Sequence, residues 1–179
     1  MAITASDMVF RYSTVAGSAG DSGAGTAGGS LGKYMSQTPV AAGANGLFDD
    51  ISGAENAAST VDYRCVFLTN THATLTATNV VVYVPAEVAG GASVAIALDN
   101  LATSDHDSSS AQAATIANET TAPTGVGSFS TPTDDGSGLS IGSLAPGECK
   151  AIWVKRSAAN TGPVTGDGFT LGISFDTPA

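Results

Sequence analysis

His72 and His106 are the sequence's whole supply of imidazole, the side chain best suited to general base work or metal binding near neutral pH. Neither belongs to an H-x-x-x-H or paired-cysteine pattern, and each falls in a separate predicted loop, so both are expected to be solvated loop residues. His106 stands between Asp105 and Asp107, a cluster that could catch a cation adventitiously. It lacks the alternating ligands and bidentate Glu of an EF-hand. Carboxylates are paired at Asp49-Asp50 and Asp134-Asp135, but sequence neighbours on a strand point to opposite sides and both pairs border Gly-rich turns. Turn acids are therefore expected there, not an acid-base couple in a shaped cleft. Gly23 to Gly28 spells G-x-G-x-x-G with no βαβ unit around it and no helix N-terminus for a pyrophosphate. No G-x-S-x-G elbow or phosphate-loop pattern occurs, and the many serines have no histidine partner for a hydrolytic triad. The expectation is a chain without catalytic residues, metal or cofactor.

Composition says what kind of scaffold carries these residues. At 179 residues the chain suits one domain plus an arm, long enough to bury roughly 70 % of its unfolded surface without a disulfide staple. Charged residues are 12 % and aromatics 6 %, with 22 glycines and many small Ala, Ser and Thr, which favours sheets and turns over helices. Sixteen acids against six bases give a net charge of −10, which argues against nucleic acid and against a polybasic membrane contact. The longest apolar run, Val80 to Val84, is far short of a membrane span. The N-terminus has neither the basic nor the apolar region of a secretory signal, so a soluble chain folding in a reducing cytoplasm is expected. Cys65 and Cys149 then read as buried thiols, with a bridge between them open if their strands face each other across a sandwich.

Strand patterns start at Asp7 to Ser13, where Met8, Phe10 and Tyr12 share a side. From Ala16 to Gly32 the sequence is Gly-, Ser- and Ala-rich with nothing to bury before Leu31, and alone in water it should be disordered. Leu31 to Ile51 shows no sustained period and reads as an extended, anchored loop, with a turn at Asn45-Gly46 and one helical turn over Leu47 to Ile51. The main strands are predicted at Val61 to Thr69, Ala77 to Pro85, Ser93 to Leu98, Leu139 to Gly142, Cys149 to Arg156 and Phe169 to Phe175. Val61 to Thr69 carries apolar residues on both faces near its middle, and the continuous valine run within Ala77 to Pro85 suggests one face on the core and another covered or paired. Asp99 to Asp135 reads as Ser/Thr-rich loop with Ile116, Val126 and Phe129 as anchors and a short helix or strand over Ala111 to Asn118. Arg64, Lys150, Lys155 and Arg156 fall on core strands, either as a basic patch toward an acidic neighbour or as snorkelling edge residues. The pattern is all-β: an antiparallel β-sandwich, Ig-like or jelly-roll-like, over residues 61–179, with an extended Gly-rich N-terminal arm and anchoring loops over 1–60.

Val9 to Ser13, Ser30 to Gly32, Asn45 to Asp49, Tyr63 to Cys65, Asn79-Val80, Val82 to Val84 and Leu144 to Arg156 occur in an order that resembles small virion structural proteins encoded among the head and tail genes of tailed bacteriophages. That resemblance implies an Ig-like or related sandwich on a particle, without enzymatic activity. A head decoration, or cement, protein is favoured over a tail component, because such proteins are also small, acidic and Gly/Ala/Thr-rich with an extended arm. The implied partners are the major capsid protein and copies of the chain itself, a trimer among the arrangements, at the capsid surface. The implied assembly interface is Phe10, Arg11, Tyr12, Leu31, Tyr34, Met35, Leu47 and Phe48. Alternatives are a tail or baseplate component and a receptor- or carbohydrate-binding sandwich, the latter short of exposed aromatics.

Overall fold

The computed structural model describes residues 2–17, 25–162, 164 and 166–177. Its elements are β1 (Met8–Thr14), β2 (Tyr34–Pro39), α1 (Gly53–Ala58), β3 (Val61–Asn70), β4 (Ala77–Glu87), β5 (Ser93–Leu98), β6 (Ser104–Asp105), β7 (Leu139–Leu144), β8 (Glu148–Ser157) and β9 (Phe169–Asp176). The larger sheet has the order β2-β1-β3-β8-β5, with β6 also on β8, and the smaller has the order β7-β4-β9. All pairings are antiparallel. The protein is thus the antiparallel β-sandwich expected from the alternating patterns.

Residues before 61 supply two strands of this sandwich. β1 pairs with β3 from Met8↔Asn70 to Tyr12↔Val66, and β2 pairs with β1 on its other side. Past Val66, β1 leaves β3 and the Gly-rich stretch takes its place, where the Cys65 N–H donates to the Ser30 carbonyl at 2.8 Å. Gly25 is buried, and a side chain there would collide with Tyr12 and Ser36. Residues 25–32 therefore lie on this chain's own sheet. Residues 18–24, the middle of the expected arm, lie outside the described residues.

Period-two alternation on the central strands buries both faces of the larger sheet. Val66 and Leu68 of β3, with Ile152 and Val154 of β8, face the smaller sheet and pack in one cluster with Val80, Val82 and Val84 of β4. Cys65 and Phe67, with Cys149, Ala151 and Trp153, point to the other face and pack with Met35, Ala113 and Ile116. The second cluster is closed by the Ser/Thr-rich segment between β6 and β7, together with Leu31. Its regular pairing is limited to isolated bridges, Gly32↔Thr115, Ile96↔Ser130 and Asp99↔Val126. No helix or strand forms over Ala111 to Asn118. Asp99 pins this cover: its buried carboxylate accepts from Trp153 Nε1 at 3.0 Å, the Ala114 N–H at 2.7 Å and the Leu101 N–H at 2.9 Å.

Tyr12 anchors the loop after β2 by donating its hydroxyl to the Gly46 carbonyl and accepting from the Ala41 N–H. That loop delivers Leu47 and Phe48 into the inter-sheet core. The helical turn expected over Leu47 to Ile51 falls instead on α1, because Ser52 and Glu55 make a reciprocal capping box. Cys65 and Cys149 are free thiols: their strands are neighbours in one sheet, with Cys65 opposite Trp153 and Cys149 opposite Thr69, so no bridge can form between them. Burial pushes the Cys149 thiol up to about 12 and drives Cys65 well above its ordinary value.

Candidate functional site

The two histidines, apart in sequence, are brought to one shallow cleft of about 380 Å³ at the end of β3. Its walls are Arg11 of β1, Met35 and Gln37 of β2, the β3 end and following turn (residues 69–73), His106, and the Pro146-Gly147 turn before β8. Buried Asn70 fixes the floor: its Nδ2 donates to the Leu75 and Leu144 carbonyls, both at 2.9 Å, and its Oδ1 accepts from the His72 N–H at 3.0 Å. His72 Nδ1 accepts from the N–H groups of Thr74 and Leu75, which places the proton of the neutral ring on Nε2. His106 is held the other way round, with Nδ1 at 3.0 Å from the Gly147 carbonyl, so Nδ1 carries the proton. Gly147 has φ +78°, and a Cβ there would lie 3.1 Å from His106 Nδ1, so glycine allows both the turn and the approach.

The acids around the cleft are engaged in turns. Asp105, His106 and Asp107 bring ligand atoms within 4.8 Å of one another at the surface, an arrangement common among exposed acidic groups without an ion. Asp105 is held below its ordinary value chiefly by hydrogen bonding to Asp107. Asp134 accepts from both the N–H and the hydroxyl of Ser137 at 2.8 Å, which lowers its pKa. It is a turn acid, as its sequence setting suggests. Asp49 is turned toward Arg156.

The basic strand residues do not form a free patch. Arg156 is buried and pairs with Asp62, its cross-strand neighbour on β3, at 2.7 Å, while its guanidinium stacks 4.7 Å from the centre of the Phe48 ring. Arg64 is equally buried and pairs with Glu119. Lys150 donates to the Leu101 carbonyl, and partial burial lowers its pKa.

Of the eight residues expected at an assembly interface, Tyr12, Met35, Leu47 and Phe48 are buried in this chain's own core. They serve folding, because each is the large apolar side chain its strand or loop supplies to a cluster. Phe10 and Leu31 are half-buried against the two clusters, Tyr34 is half-buried beneath the Lys33 ammonium, and Arg11 lines the cleft. No helix among the described residues is long and apolar enough to cross a membrane. Comparison with family models, curated proteins and solved structures returned no match.

Proposed function

We propose that the chain is a non-enzymatic structural protein of a tailed-phage virion, a head decoration or cement protein that binds neighbouring major capsid subunits and adjoining copies of itself. The observation that carries this reading is the unpaired edge of β9. β2 ends on Pro39, β7 has only six residues, and the β5 edge is capped by the cover, where Ile96 and Ser130 exchange hydrogen bonds at 2.7 and 3.0 Å. β9 has eight residues, pairs only with β4 among the described residues, across a register that shifts twice, and carries neither lysine nor proline. Its large side chains, Phe169, Leu171, Ile173 and Phe175, turn to the core, leaving small Thr170, Gly172 and Ser174 on the other side. An edge of this kind is suited to pairing with another chain. Particle assembly uses surfaces of this type, and the resemblance of the strand motifs to phage head and tail proteins supplies the setting.

The carbohydrate-binding alternative has less to rest on. The exposed large apolar side chains among the described residues are Val15, Val88 and Leu101, none aromatic. The double substitution Thr170→Lys with Ser174→Lys tests the reading. It places two charges on the β9 edge without touching the core, so the melting temperature should hold while co-sedimentation with undecorated phage capsids weakens by more than about tenfold, or about 1.4 kcal/mol. Full binding by the doubly substituted chain would overturn the role of this edge.

A further inference from the structure

The chain holds three arginines, and two of them, Arg64 and Arg156, are buried against carboxylates of the same chain. Arg11 is different. Its guanidinium donates to the Gln37 carbonyl and, unlike those of Arg64 and Arg156, pairs with no carboxylate among the described residues. It lines the same cleft as both histidines, so three of the chain's eight side chains able to carry positive charge converge there, and none of the lining residues is an acid. The acids nearest to the cleft, Asp7, Asp105 and Asp107, stand beside the histidines outside the lining.

We propose that the Arg11–His72–His106 cleft is a binding site for a carboxylate group. A guanidinium is a charged, planar donor suited to a carboxylate, and His72, whose Nδ1 is taken by backbone N–H groups, adds a neutral Nε2–H donor. The site is preformed: the Asn70 side chain locks the turn carrying His72, and Gly147 holds His106 through its carbonyl. The groups that oppose or modulate the charge of the cleft are Asp7, which acts on His72, and Asp105, Asp107 and Glu148 around His106. The carboxylate can come from a small free polyacid or from an acidic side chain of a protein segment. The proposal is independent of the virion reading, because it rests on the cleft alone.

The test uses the full chain at low ionic strength and follows the ring C–H resonances of His72 and His106 by NMR. Citrate and a hexaglutamate peptide are added in turn, at about pH 6 and about pH 8, with sodium chloride at matched ionic strength as control. Saturable shifts of both rings, absent with chloride, are expected at either pH. Saturation by citrate identifies a small-molecule site, and saturation only by the peptide identifies a protein segment as the source. Arg11→Gln should weaken binding by at least about tenfold. Should Arg11→Gln fail to fold, Arg11→Lys, which keeps the charge and loses the planar guanidinium, should weaken binding instead. Absence of saturable shifts with either probe, shifts reproduced by chloride, or unchanged affinity in the substituted chains would overturn the proposal.

Discussion

Trp153 and Asp99 show how single side chains divide the work in this protein. Trp153 is fully buried on the covered face of the larger sheet, and its one side-chain polar atom is satisfied by a carboxylate that also holds the Ala114 amide of the cover and the Leu101 amide after β5. Trp153→Ala should therefore cost about 3–5 kcal/mol, read from the shift of the urea midpoint, and native Trp fluorescence should resist quenching by iodide. The thiols predict a pH dependence of definite sign. Below the ordinary thiol value of 9.0, Cys149 is neutral in both folded and unfolded chains. Above it the unfolded chain loses the proton while the buried thiol keeps it up to about 12, so the native state binds more protons and stability falls as pH rises through that window. Urea midpoints measured under reducing conditions at about pH 8 and about pH 10.5 should show this fall, and Cys149→Ala should reduce it, the buried Cys65 thiol supplying the remainder. Arg156 could not be read in this way from sequence. A strand arginine looks like a snorkelling residue until the fold places Asp62 directly across the ladder and Phe48 under its guanidinium.

Strands that alternate or run continuously apolar were legible as elements, because burial on one or both faces is written in period two. Val61 to Thr69, Ser93 to Leu98 and Phe169 to Phe175 match β3, β5 and β9 to within a residue at each end. β2 was not legible, since Tyr34–Pro39 mixes Met35 with Ser, Gln and Thr, and an edge strand with a bulge keeps only part of the alternation. α1 carried a signal that could have found it, Ser52 and Glu55 at capping-box spacing. The cover was half legible. Phe67 and Trp153 required something over their face, but a Ser/Thr-rich segment gives no period to name it, and its hold depends on backbone bonds such as Gln112 N–H to the Lys33 carbonyl at 2.7 Å. The convergence of Arg11, His72 and His106 was invisible, because it depends on how three loops and three strands meet. Hydrogen exchange tests the cover as an element: the amides of Gln112 and Ile116, both bonded to the stretch beneath, should be protected in the native chain. Asp99→Ala should release them while β4 amides at Val80 and Val82 stay protected, since those lie in the inter-sheet core.

For the whole molecule, the sandwich spends its apolar residues internally. Both faces of the larger sheet are closed, which leaves the outer face of the smaller sheet, the edges, the turns and the Arg11 cleft as surfaces open to a partner. The proposed assembly role uses the β9 edge for pairing, and the proposed carboxylate site is a separate point of attachment. Four of the residues expected at an interface, Tyr12, Met35, Leu47 and Phe48, are buried in the chain's own core. The measurement that tests the central claim most directly is quantitative mass spectrometry of gradient-purified phage particles produced from the genome that encodes the chain. The account predicts peptides of this chain in the particle fraction at a fixed ratio to the major capsid protein, retained through repeated purification. Finding the chain only in the soluble lysate, with none in intact particles, would contradict it.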